Sequence, residues 1–228
     1  MIDRKRKLLF IHIPKNAGTT IERTVFPNHD FKTGYSKEYL YGYDKAAQLN
    51  LQHASVIDLL GNYLISEADL RDCYSFAVVR NPFTRALSGY VWLQNDLGIS
   101  DTFSNFLNMK GEFSKEALAK HSTYALDHFF TQASFVTLNG ELAVDDILSF
   151  ESLQQDFERF NVSIGADFSL ETHLKKNRKV NRLRLVKLLT SENMELIKSK
   201  YSEDFDRFGY SKNFSRLKYL MGFVQGNS

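Results

Sequence analysis

Two short apolar runs, each followed by a turn and a helical pattern, organise the first hundred residues. The runs are Leu8 to Ile13 and Tyr74 to Val79, and both are nearly continuous. Runs of this length predict strands buried on both faces, as in a parallel sheet. Thr19 to Val25, after the turn at Pro14 to Gly18, predicts a helix. A second helix is predicted from Asn81-Pro82, because proline is favoured at the first helical position.

The second half of the chain repeats this pattern in a weaker form. Asp146 to Phe150 predicts a further strand, and Leu153 to Phe160 carries apolar residues at helical spacing. A last helix is predicted from about Ser191 to Tyr201. The alternation of strands and helices predicts an α/β fold, with a central parallel sheet flanked by helices in a single domain over residues 1–228.

The composition narrows the class of protein. Of the 228 residues, 43% are hydrophobic and 25% charged, which excludes disordered and fibrous proteins. The formal net charge of +2 is too small to indicate a nucleic-acid partner. Cys73 is the only cysteine, so a disulfide within the chain and a cysteine-rich zinc site are excluded. Because no apolar run is long enough to span a membrane, we expect a cytoplasmic protein without a membrane span.

The loop from Pro14 to Thr20 has the residue types of a phosphate-binding loop. Ligands of parallel sheets lie at the carboxyl ends of the strands, where this loop begins. Gly18 permits close approach of the backbone, and the helix start behind it offers free N–H groups. Lys15 adds a positive charge, while Thr19 and Thr20 add hydroxyl donors. The lysine precedes the glycine, so this is not a Walker A loop, and an ordinary turn with a solvated lysine is an equal interpretation.

A second group of polar residues follows the second predicted strand. Arg80 comes directly after that strand, and Ser88 lies eight residues later in the next helix. A guanidinium group suits a phosphate, and a nearby hydroxyl can complete its coordination. Taken singly, a surface ion pair for Arg80 and a helix contact for Ser88 are the simpler interpretations.

The two loops together resemble the sulfotransferase superfamily, closest to the carbohydrate sulfotransferases and their bacterial relatives. Residues 10–20 read FIHIPKNAGTT and resemble the 5′-phosphosulfate loop of that superfamily. Residues 76–90 read FAVVRNPFTRALSGY and look like its 3′-phosphate motif, including the step from arginine to serine. Asp146 to Glu151 and Tyr201 to Tyr210 are similar to later blocks, in the same order.

The resemblance covers most of the chain from Leu8 to Tyr210. It is thin between Phe26 and Asp72, where the specificity for the acceptor would lie. Asn16 departs from the pattern, because relatives often carry threonine or serine there, although an amide can also donate to an anion. Gln132 is similar to a family position near the cofactor.

The resemblance implies transfer of a sulfuryl group from 3′-phosphoadenosine 5′-phosphosulfate (PAPS) to a hydroxyl acceptor, with adenosine 3′,5′-bisphosphate (PAP) as product. Lys15 would contact the bridging oxygen, where charge develops as the bond breaks. The backbone N–H groups from Ala17 to Thr20 and the hydroxyls of Thr19 and Thr20 would hold the 5′-phosphate, and Asn16 is counted among the cofactor-binding residues. Arg80 and Ser88 would hold the 3′-phosphate and so distinguish PAPS from ATP. No metal is required, and transfer is expected to be in-line and dominated by positioning.

The acceptor hydroxyl needs a general base, and His53 is the residue to which we assign this role. Histidine titrates near neutral pH, and His53 lies between the two cofactor loops in the sequence. A surface or helix-capping histidine is the alternative interpretation. His12 is interpreted as structural, and His29, Glu38 and His128 are weaker candidates for the base.

Two features leave the partners open. Lys175 to Lys187 holds seven lysines or arginines. Such a run is either a solvated face or a basic rim for an anionic acceptor or for the nucleotide. The apolar residues after Phe214 fit a closing helix or a homodimer contact. We expect a carbohydrate or glycoconjugate acceptor. An ATP-dependent P-loop kinase and a PAP(S)-binding module without turnover are the competing functions.

Overall fold

The computed structural model describes residues 1–119, 123–170 and 182–221. The basic stretch from Lys175 to Lys187 therefore lies partly outside the described residues, and so does the end of the apolar tail after Met221. Within the described part, no helix is both long enough and apolar enough to cross a membrane.

The strands of the described residues are short and are numbered in chain order. They are β1 (Ile2–Asp3), β2 (Leu8–Ile11), β3 (Tyr35–Ser36), β4 (Tyr41–Asp44), β5 (Leu49–Asn50), β6 (Tyr74–Val79), β7 (Thr137–Leu138), β8 (Glu141–Leu142) and β9 (Asp146–Ser149).

The helices are numbered in the same way, and 3₁₀ turns occupy Leu51–His53, Asp127–Phe129 and Phe150–Ser152. The α-helices are α1 (Gly18–Val25), α2 (Val56–Gly61), α3 (Glu67–Asp72), α4 (Pro82–Asp96), α5 (Phe103–Asn108), α6 (Glu112–Ala119), α7 (Thr123–Leu126), α8 (Ala133–Val136), α9 (Leu153–Ile164), α10 (Arg182–Leu188), α11 (Ser191–Lys200), α12 (Ser202–Arg207) and α13 (Arg216–Leu220).

The main sheet confirms the predicted α/β class and corrects one detail of it. Its strand order is β1-β2-β6-β9, and β2, β6 and β9 are parallel. Phe10 pairs with Phe76, and Val78 pairs with Leu148. The sheet is mixed rather than purely parallel, because β1 adds an antiparallel edge strand to β2. Two residues of β1 are too few to give a periodic signal in the sequence.

The predicted elements around the two loops are confirmed. Strand β6 has the expected bounds, whereas β2 ends two residues earlier than the apolar run. Helix α4 begins with Pro82 at its first turn. Asn81 caps this helix, since its side chain accepts a hydrogen bond from the N–H of Phe83 at 3.0 Å.

The described residues divide into two compact units, one within residues 1–79 and 132–175 and the other within residues 80–131 and 176–228. In the first unit, the main sheet buries one face against α1 and α9. The buried side chains on that face include Phe10 and Phe76 of the sheet, Val25 of α1 and Phe160 of α9. This apolar packing therefore holds α1 against the sheet. The single-domain organisation of residues 1–228 stays a prediction.

The second unit is helical in its described part and has an aromatic core. Helices α4 and α5 contribute Tyr90, Phe103 and Phe106, and α6 contributes Phe113. The ring centres of Tyr90 and Phe103 lie 5.1 Å apart, and those of Phe106 and Phe113 lie 5.5 Å apart. This packing fixes α4, the helix that carries Ser88.

Candidate active site

The loop between β2 and α1 has an unusual backbone. Lys15 and Ala17 both adopt the left-handed conformation, with φ of 73° and 63°, and Asn16 separates them. Such alternation turns successive N–H groups toward one side, as in anion-binding backbone concavities. Among the described residues, no side chain caps the amino end of α1. The positive end of the helix dipole is therefore left for an anion.

Asn16 fastens this loop to the sheet. Its Nδ2 donates to the carbonyl oxygen of Val78 at 2.8 Å and to Oε1 of Gln132 at 2.7 Å. The side chains of Asn16 and Gln132 are completely buried. The side-chain amide expected to face the anion thus contacts the protein instead. Cofactor binding by Asn16 stays a prediction, and Gln132 has a structural contact to this loop.

Gly18 is required by the ring of His12. A Cβ atom at position 18 would lie 1.7 Å from Nε2 of His12 and would overlap the ring. Nδ1 of His12 is held at 2.8 Å from Oε1 of Glu22, so the ring cannot easily move aside. The sequence predicted a glycine that admits a ligand, and the structure adds a second reason within the protein.

Replacing Gly18 with alanine should therefore destabilise the protein, by about 1–3 kcal/mol, the usual range for overpacking. Urea denaturation measures the free energy of unfolding. Gly61→Ala is a matched control, because Gly61 lies in α2 of the same unit and a Cβ atom added there would meet no neighbouring atom within 4 Å. Equal unfolding free energies for the two variants would contradict the steric argument.

His53 is buried and contacts His12, the residue that follows β2. Its exposed fraction is 8%, which excludes the interpretation as a surface histidine. Nδ1 of His53 lies 3.1 Å from the carbonyl oxygen of His12. Because a carbonyl only accepts, this Nδ1 carries a proton, and in the neutral ring Nε2 keeps a lone pair. That is the protonation pattern that a general base requires.

Sequence reasoning missed two polar residues beside His12 and His53, namely Glu22 and Gln52. Oε1 of Glu22 accepts hydrogen bonds from His12 and, at 2.8 Å, from Nε2 of Gln52. Glu22 is 2% exposed, although it is charged. A signal was present, since position 22 lies beside Ile21 and one turn before Val25 on the buried side of α1.

Arg80 is positioned by the first turn of α4. It follows Val79, the last residue of β6, and its Nε donates to Oγ1 of Thr84 at 3.0 Å. Thr84 in turn donates to the carbonyl oxygen of Asn81 at 3.1 Å. Ser88 is half-buried one turn after Thr84, so both lie on the same face of the helix.

Arg85, the second arginine of this motif, is internal. It is buried, and its Nη1 donates to the carbonyl oxygen of Phe130 at 2.8 Å. Burial lowers the pKa of Arg85, and burial also raises the pKa of the neighbouring Tyr201 to about 12. The structure therefore separates a structural arginine at position 85 from the half-buried Arg80.

The weaker candidates for the base have other surroundings. His29 is buried among Phe31, Tyr39 and Tyr41, and burial lowers its pKa. The ring of His128 stacks in parallel on Trp92, with the ring centres 4.1 Å apart. Glu38 is exposed. His53 instead meets the ring of the structural His12, with the ring centres 4.4 Å apart.

Comparison with known proteins identifies the class. A family model described as the sulfotransferase family matches residues 1–211, and the chain therefore belongs to this family. Its members generally use PAPS as the sulfate donor, and the chain is a PAPS-dependent sulfotransferase. The match favours sulfuryl transfer over the ATP-dependent phosphoryl transfer of a P-loop kinase. No curated protein and no solved structure matches the chain.

Proposed function

We propose that this enzyme transfers the sulfuryl group of PAPS to a hydroxyl group of a carbohydrate or glycoconjugate, in-line and without a metal. The observation that carries the proposal is the loop at Lys15 and Ala17, whose left-handed backbone leads into the uncapped start of α1. The carbohydrate acceptor is supported by the resemblance of residues 10–20 to the carbohydrate sulfotransferases.

We assign the 5′-phosphosulfate to this loop, with the N–H groups from Ala17 to Thr20 and the hydroxyls of Thr19 and Thr20 as donors. Lys15 contacts the bridging oxygen between sulfur and the 5′-phosphate. The 3′-phosphate is assigned to the guanidinium of Arg80 and the hydroxyl of Ser88. These cationic and N–H groups supply the positive charge that a metal supplies in nucleotide kinases.

The chemistry then needs one proton transfer and one displacement. Nε2 of His53 takes the proton of the acceptor hydroxyl as the acceptor oxygen bonds to sulfur. The bond from sulfur to the 5′-phosphate oxygen breaks, and its electron pair leaves with PAP. The charge of Lys15 offsets the negative charge on that oxygen, which is where a preorganised cation stabilises most. The sulfated acceptor and PAP are the products.

PAP should bind this enzyme in the complete absence of divalent metal, because the assigned contacts are all protein groups. Isothermal calorimetry in EDTA measures the affinity, with PAP, ATP and Mg-ATP compared under one buffer. PAP is expected to bind more tightly than ATP with or without magnesium. Loss of PAP binding on chelation, restored by added magnesium, would contradict the metal-free proposal.

Replacing Arg80 with alanine should weaken PAP binding by about 1.5–3 kcal/mol, the usual loss for a charge-assisted contact. AMP, which lacks the 3′-phosphate, should lose much less, and calorimetry with both ligands measures the difference. Thr84→Val is a companion variant that removes the hydrogen bond to Nε but keeps the guanidinium. Equal losses for PAP and AMP would show that Arg80 does not contact the 3′-phosphate.

A further inference from the structure

A buried carboxylate, Glu22, joins the two segments that hold His53. Its Oε1 accepts hydrogen bonds from Nδ1 of His12 and from Nε2 of Gln52, both at 2.8 Å. Its Oε2 accepts from the same Nε2 of Gln52 at 2.9 Å. Glu22 therefore connects the middle of α1 with the residue that follows β2 and with the 3₁₀ turn Leu51–His53.

Both partners of Glu22 determine where the ring of His53 lies. Gln52 precedes His53 in the 3₁₀ turn, so its side chain fixes the backbone of that turn. His12 supplies the carbonyl oxygen that lies 3.1 Å from Nδ1 of His53, and its ring packs against that of His53 edge to face. Loss of the carboxylate would loosen both supports at once.

Burying the carboxylate of Glu22 at this position is unfavourable for the stability of the fold. Taking a charge out of water is unfavourable unless its hydrogen-bond partners compensate. The neighbouring inward positions of α1 carry the apolar residues Ile21 and Val25. An apolar side chain at position 22 would suit packing alone, whereas the acceptor pattern of Glu22 serves the two residues that contact His53.

We propose that Glu22 is a positioning residue for His53. It keeps the His53 ring in the orientation and tautomer that present the Nε2 lone pair to the acceptor hydroxyl. This inference rests on the proposed function of His53 as the general base.

The first test is spectroscopic and needs no acceptor. Long-range nitrogen–proton correlation spectra distinguish the two tautomers of each of the six histidines, and His53→Ala assigns the signal of His53. The parent enzyme should show His53 with its proton on Nδ1. In Glu22→Gln, an amide nitrogen at position 22 faces Nε2 of Gln52, so two donors oppose each other. Gln52→Leu removes the hydrogen bonds from Gln52 but keeps the carboxylate of Glu22 that accepts from His12. Each variant should give His53 as a mixture of tautomers.

The second test is turnover, measured with radiolabelled PAPS and the acceptor that screening identifies. Both variants should lower kcat by about 10–10²-fold, as small misplacements of catalytic groups do, with the Kd for PAP within about twofold. The exchange variant Glu22→Gln/Gln52→Glu restores an amide–carboxylate pair and should recover most of the lost kcat. Asp156→Asn is the control, because Asp156 is a buried carboxylate on α9 that accepts from the N–H of Ser149.

The outcomes separate this inference from the proposed function. If His53→Ala retains the parent turnover, the assignment of the base is wrong. If His53→Ala is inactive while Glu22→Gln and Gln52→Leu keep the parent kcat and a single tautomer, only the positioning role is wrong. A loss of kcat in Asp156→Asn equal to that in Glu22→Gln, or an exchange variant as slow as the slower single variant, would also overturn the positioning role.

Discussion

Replacing Lys15 with alanine should lower kcat for sulfuryl transfer by about 10²–10³-fold, the usual cost of removing one preorganised group that stabilises developing charge. Lys15 lies half-buried on the loop between β2 and α1, where its ammonium group is assigned to the bridging oxygen. The thermal unfolding temperature should change little, because the variant keeps the backbone contacts of the loop. Turnover of radiolabelled PAPS and a thermal melt on the same preparation measure the two quantities.

Lys7→Ala is the matched control for this prediction. Lys7 precedes the same strand β2, is exposed, and shares the left-handed backbone of Lys15 with a φ of 54°. Alanine at either position therefore meets the same conformational demand, and only position 15 belongs to the loop that we assign to the phosphosulfate. An unfolded Lys15→Ala variant, turnover at the parent rate, or an equal loss in Lys7→Ala would show that the assigned role is wrong.

The elements that flank the loops could be predicted because their signals are local. The run Tyr74 to Val79 is apolar throughout most of its length and became β6 with the same bounds, and Pro82 marks the first turn of α4. Strand β1 could not be predicted, since it consists of two residues paired to Leu8 and Leu9. A strand of that length exists because its neighbour offers an unpaired edge, which is a tertiary condition.

The candidate site likewise contains features with local sequence signals and features that depend on the tertiary fold. A phosphate-binding role for Lys15 and Gly18 could be proposed from the sequence, because residue type and order within one loop are enough to suggest such a site. The inward direction of Asn16 could not, since its partners Val78 and Gln132 lie 62 and 116 residues away in the sequence. The role of Glu22 likewise depends on Gln52, which lies 30 residues later. Buried polar residues are paired by the fold, and their pairing is visible only in three dimensions.

The glycine of the loop has two explanations that are compatible. The sequence explains Gly18 by the approach of a ligand, whereas the structure shows the ring of His12 in the space of its missing side chain. His12 also supplies the carbonyl oxygen next to His53. The glycine thus allows the loop assigned to the cofactor and the assigned base to pack closely together, so substitutions at Gly18 should affect stability and turnover together.

Replacing His53 with alanine should produce the larger loss, about 10²–10⁴-fold in kcat, the usual contribution of a positioned general base. The Kd for PAP should stay near the parent value, because a base acts on the acceptor in the transition state and not on the bound cofactor. Turnover with an identified acceptor and calorimetry with PAP measure the two effects separately. The parent pH–rate profile should have an acid limb, since the imidazole must lose its proton to act, and the variant should lack it.

A second variant tests whether the loss of turnover in His53→Ala comes from loss of the base or from loss of structure. His53→Asn keeps a side-chain N–H that can donate to the carbonyl oxygen of His12, the contact that Nδ1 makes at 3.1 Å, but an amide cannot take the proton of the acceptor. We therefore expect His53→Asn to melt close to the parent temperature and to be as slow as His53→Ala. Parent turnover in both variants would show that His53 is not the base, and the same assays on His29→Ala and Glu38→Ala would then locate the role. Recovery of activity in His53→Asn alone would reduce His53 to a residue that holds the end of β2 in place.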